Sequence, residues 1–113
     1  MKTNLPIEYK ALSFFNGCNH NDYFLVKDCE NSILIADDDK SKTVIIMLNM
    51  LCSCNEREQD LPSLIDHYKK IDYNIAGIIY LMRGAKIGHA RSSKTFICGF
   101  NIYQINTMTI TYP

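Results

Sequence analysis

Apolar and polar residues divide this chain into a readable series of elements. Residues 43–51 (Thr43, Val44, Ile45, Ile46, Met47, Leu48, Asn49, Met50, Leu51) form an almost unbroken apolar run. Such a run, bounded by polar turns, predicts a strand covered on both faces and central in its sheet. Residues 60–72 change period. Leu61, Leu64, Ile65, Tyr68 and Ile71 fall at i, i+3, i+4, i+7 and i+10, which predicts an amphipathic helix with one buried stripe. Asp60 is placed to cap that helix and Pro62 suits its first turn, while Lys69 and Lys70 sit near its negative end. Residues 75–82 are apolar again and predict a second buried strand, with Gly77 marking a bulge or a close backbone approach. The strand–helix–strand order of residues 43–82 suits a parallel crossover.

The flanks follow the same logic. Residues 5–17 suit a short helix, with Pro6 in the first turn and Asn16-Gly17 at the end, although Ile7, Tyr9 and Ala11 also alternate like a strand. Residues 23–27 and 32–36 read as a hairpin, and the polar turn at 37–42 leads into the central strand, giving a three-stranded meander. Towards the carboxyl end, residues 87–91 suit a polar edge strand. Residues 95–100 form a strand in which Cys98 is buried. Residues 103–112 form a strand with one wet face, because Thr107, Thr109 and Thr111 alternate with Met108, Ile110 and Tyr112. Most connections are short. The expected fold is therefore α+β: a mainly antiparallel sheet of about six to seven strands packed on one or two helices, in a single domain over residues 1–113.

Composition adds bounds. A chain of 113 residues with 47% hydrophobic and 21% charged residues fits one ordinary globular domain. No window approaches the ~18 apolar residues of a membrane span, and the first residues lack a secretory pattern. The five cysteines (Cys18, Cys29, Cys52, Cys54, Cys98) are odd in number, so a closed disulfide framework would leave one over. A cytoplasmic location is expected. Net charge is zero but unevenly distributed. Residues 1–60 hold ten acids against six bases, whereas residues 61–113 hold two acids against six bases. Such asymmetry bears on partners rather than on fold.

Motifs for chemistry are sparse. Cys18-Asn19-His20 and Cys52-Ser53-Cys54 offer thiols and an imidazole, but one intervening residue is shorter than the spacing that lets two ligands hold one zinc ion. Asp37-Asp38-Asp39 lacks the spaced pattern of a calcium loop and reads as a solvated turn. His20, His67 and His89 stand in no catalytic motif, and residues 84–88 are too short for a phosphate loop. No metal, cofactor or catalytic residue is therefore expected, and the chain is not expected to be an enzyme.

Two charged surfaces remain. Asp28 and Glu30 lie in the hairpin turn, at the same sheet end as the loop carrying Glu56, Glu58 and Asp60. Together they make an anionic surface for a cationic protein partner, with Tyr23 or Tyr73 as an aromatic anchor. The alternative is a basic edge of Arg83, Lys86, His89, Arg91 and Lys94 with aromatic neighbours, which suits a nucleic-acid backbone. In profile, though not in any motif, the chain resembles small toxin-immunity proteins and phage- or virus-encoded inhibitors. That resemblance implies a non-catalytic inhibitor acting through one complementary surface, first of all against a basic, nuclease-type toxin domain.

Overall fold

The computed structural model describes residues 5–15, 18–28, 31–37, 41–50, 58–82 and 96–106. Helix α1 (Ile7–Leu12) is followed by a 3-10 turn at His20–Asp22 and by strands β1 (Tyr23–Asp28), β2 (Asn31–Ala36) and β3 (Thr43–Asn49). Helix α2 (Leu61–Lys70) leads to β4 (Asn74–Met82), a two-residue β5 (Phe96–Ile97) and β6 (Phe100–Asn106).

The six strands form one sheet in the order β1-β2-β3-β4-β6-β5. The meander is antiparallel, as its short turns require. Beyond it the sheet is mixed rather than purely antiparallel, although three of its five pairings are antiparallel. β3 pairs with β4 in parallel across the α2 crossover, and β4 pairs with β6 in parallel. The physical reason lies in the connections. A parallel neighbour needs a dozen or more linking residues, and residues 83–99 provide that length between β4 and β6. The expected edge strand at 87–91 and the threonine alternation at 107–111 lie outside the described residues.

Strand alternation sends side chains to two cores. On one face Ile33, Val44, Ile46, Leu48, Ile78, Tyr80 and Ile102 pack beneath Leu61, Leu64 and Ile65 of α2. On the other, Leu34, Ile45, Met47, Ile79 and Leu81 pack beneath Ala11 and Leu12 of α1 and Phe15 just after it. β3 and β4 belong to both cores, which is why their sequences show no alternation. Ile71, the last residue of the predicted stripe, escapes burial at 43% exposed, because the helix has ended by that point and Asp72 turns the chain with φ 66°.

Gly77 fulfils both expectations made for it. The β3–β4 register slips between Val44 and Ile45, leaving Ala76 as the extra residue of a bulge. The Phe15 ring also lies directly on Gly77, so that a Cβ there would meet ring carbons, Cε2 at 2.9 Å. Cys98 departs from expectation. It is exposed, and it forms with Gly99 the two-residue turn between β5 and β6, at φ 54° and 87°. Two consecutive positive φ values mark the turn type that suits the right-handed twist of a hairpin. Apolar neighbours made Cys98 look like strand, yet the adjacent Gly99 lets the chain reverse there.

At the outer edge of β1 the Leu25 amide donates to the Tyr9 hydroxyl at 2.9 Å. Beneath α1, Glu8 is buried and its Oε2 accepts from Ser32 Oγ at 2.7 Å and from Lys27 Nζ at 2.6 Å. Burial works to raise the Glu8 pKa. The Lys27 and Ser32 hydrogen bonds, helped by a backbone donor and the Lys27 charge, outweigh it and hold the carboxyl below its usual value.

Candidate functional site

The two ends of the sheet differ in character. At one end lie the start of β1, the end of β2 and the starts of β3 and β4. At the other lie the turn from β1 to β2, the carboxyl ends of β3, β4 and β6, and the approach to α2.

The second end carries those of the predicted acidic residues that are described, Asp28, Glu58 and Asp60, while Asp22, Asp37 and Asp72 stand at the first. Residues 58–60 cross the end of the sheet on the α2 side. Glu58 Oε2 accepts from the Tyr80 hydroxyl at 2.8 Å, and Asp60 Oδ2 accepts from Asn31 Nδ2 at 3.2 Å. Asp60 therefore does not make the side-chain cap expected of it; it stands at the N-cap position of α2 without capping the helix. Its carboxylate is engaged by β2 instead. Asn31 and Tyr80 stand on β2 and β4 with β3 between them, so the strands that anchor the two carboxylates are about 10 Å apart, two strand spacings. Each is held by a neutral donor. Among the described residues neither is paired with a cation, in contrast to Glu8 with Lys27. Among the described residues, then, the two carboxylates are positioned by neutral donors alone.

Asp28 closes β1 opposite Asn31 and belongs to the same end by register. Glu30 and Glu56 lie outside the described residues. The predicted aromatic anchors lie elsewhere. Tyr23 opens β1, and Tyr73 immediately precedes β4, so both are at the far end, about 17 Å away by the length of β1. Tyr73 is partly buried, edge-on to Tyr68, with Lys42 5.6 Å from its ring centre. Neither tyrosine joins the acidic end.

Tyr23 lines a depression of about 530 Å³ together with Cys18, Asn21, Asp22, Asp37 and Thr43. Burial raises its pKa, and the Cys18 sulfur and the Asp22 carboxylate add to the effect. The predicted nucleic-acid surface (Arg83, Lys86, His89, Arg91 and Lys94) lies outside the described residues. Of the other histidines, His20 lies against the Tyr9 ring and His67 edge-on to Tyr68.

Sequence reasoning passed over Asn31 and Tyr80, which orient the two carboxylates. An asparagine at the mouth of a hairpin reads as a turn former, and a tyrosine in an apolar strand reads as core. Only the tertiary contact with residues 58–60 distinguishes them. It also passed over Phe24 and Val26, which stand in the expected strand at 23–27 and are 46% and 38% exposed. No family model, no curated protein and no solved structure matches this chain.

Proposed function

We propose that this protein is a non-catalytic inhibitor of the toxin-immunity kind, which neutralises a basic, nuclease-type toxin domain with the anionic end of its sheet. One observation carries the reading: Glu58 and Asp60 are fixed by the neutral donors Tyr80 and Asn31, with no cation partner among the described residues. Carboxylates fixed before binding lose less side-chain freedom on meeting a partner. Such carboxylates also attract a cationic surface from a distance, which raises the association rate and fixes orientation. Asp28 pairs with Asn31 at the same end of the sheet, and Glu30 and Glu56 lie close to these residues in sequence.

The test is retention of native-host proteins on the immobilised full chain, compared with a Glu58→Gln/Asp60→Asn variant. Support is a cationic protein held by the parent chain, released by salt and lost with the variant. Retention that ignores both salt and the two substitutions, or no retained cationic protein, defeats the reading. Both substitutions keep an oxygen for the Tyr80 and Asn31 donors, so a loss reports charge rather than unfolding.

A further inference from the structure

We infer that the α2-side face of the β1–β2 hairpin docks a partner segment carrying one apolar and one Lys or Arg side chain. The inference rests on the inhibitor reading and names the chemistry that the partner must present. The face is built by register. Phe24 stands opposite Ile35, Val26 opposite Ile33, and Asp28 opposite Asn31. Ile33 and Ile35 belong to or pack against the α2-side core, but no residue of β1 does. The helix covers the centre of the sheet and stops short of its edge, leaving Phe24 and Val26 beside a filled core with their outer surfaces in water.

At the next rung the surface changes from apolar to polar. Asn31 is 3% exposed. Its Nδ2 reaches Asp60, and its Oδ1 has no hydrogen-bond partner. The orientation of the amide is fixed by chemistry, because turning it over would set Oδ1 against the Asp60 carboxylate. A buried acceptor without a donor forfeits the hydrogen bond it had with water. Here that acceptor lies on the same amide that holds a carboxylate with no cation partner among the described residues, so the group that suits both is a hydrogen-bond donor with positive charge. Asp60 is partly exposed and meets such a group first. A guanidinium has enough N–H donors to bond the Asp60 carboxylate and keep one for Oδ1 of the adjoining amide, which stays as it is.

The apolar and anionic parts are separated by one or two same-face positions, about 7–14 Å along the strand. An anionic segment would meet Asp60 with like charge. A purely polar one would leave Phe24 and Val26 in water. The complementary segment is therefore apolar at one position and cationic at another, with that separation.

The probe is acetyl-Leu-Gly-Arg-amide, titrated into the 15N-labelled full chain while amide shifts are followed. Acetyl-Leu-Gly-Glu-amide and arginine amide serve as controls. Saturable shifts from the first peptide alone are expected at Phe24, Val26, Asp60 and the Asn31 side-chain NH₂. Phe24→Ser should weaken them about tenfold, as loss of a central apolar contact does, while resonances across the α1-side core stay in place. Shifts located elsewhere, equal shifts from the acidic peptide, or none at millimolar peptide overturn the inference. Failure of the inhibitor reading looks different: the peptide maps to this face, yet no cationic host protein is retained. Conversely, a retained partner indifferent to Phe24→Ser keeps the inhibitor and removes this face.

Discussion

Replacing Glu8 by Gln tests whether a buried carboxylate, bonded to Ser32 and to a half-exposed Lys27, holds α1 on the sheet. The parent carboxylate accepts two hydrogen bonds on one oxygen, from Ser32 at 2.7 Å and Lys27 at 2.6 Å. The Glu8 side chain is 7% exposed and that of Lys27 is 55% exposed, so the two bonds are not equal. The Ser32 bond to an ionised acceptor contributes about 1.5–3 kcal/mol, against about 0.5–1.5 for a neutral one. The Lys27 pair, well wetted on one side, adds about 0.2–1 kcal/mol. Glu8→Gln keeps an oxygen for Ser32 and removes the charge, so the expected loss is about 1–2.5 kcal/mol at neutral pH. With a urea slope of about 1–3 kcal/mol per M, the midpoint falls by about 1 M. The pH dependence sharpens the test. A carboxyl whose folded pKa lies below its unfolded value contributes stability above the unfolded value. It loses that contribution as pH falls through the folded one. Because Glu8 is held below 4.5, the gap between parent and variant should close as urea melts are repeated from neutral pH down to about pH 3. A gap that stays constant with pH, or no gap at neutral pH, refutes the assignment.

Two further changes probe the backbone. Gly77→Ala places a methyl in the Phe15 ring and should cost about 1–3 kcal/mol by thermal or urea unfolding; combining it with Phe15→Leu should recover part of the loss. Cys98→Asn sets a residue that tolerates positive φ beside Gly99, where hairpin turns favour Asn-Gly, and should stabilise the chain by about 0.5–1 kcal/mol in the same assay.

What the residues disclosed, and what they hid, follows from the range of the interactions. The helix at 61–70, the meander and the two apolar central strands are written locally, in period and turn chemistry, and they appear where those signals place them. Parallel pairing of β6 with β4 is not local. It depends on the path of residues 83–99, and a pattern of short apolar runs there looks the same whether the chain doubles back or crosses over. Cys98 misled for a related reason: flanking apolar residues signal strand, whereas the reversal depends on backbone angles that Gly99 permits. In the candidate site, the clustering of Asp28 with residues 58–60 could be read from which turns share a sheet end. The partners of the acids could not. Asn31 and Tyr80 acquire that role only when α2 is laid on the sheet. The opposite placement of Tyr23 and Tyr73 likewise follows from strand direction, which aromatic content does not encode.

The Tyr9 hydroxyl on the Leu25 amide has a consequence for how this molecule meets others. An open β1 border is a template onto which another chain could zip by backbone pairing, whatever its side chains, and repeated addition of that kind seeds fibrils. A phenol seated midway along the border interrupts the template. It leaves recognition to side-chain chemistry, where a wrong partner can be refused.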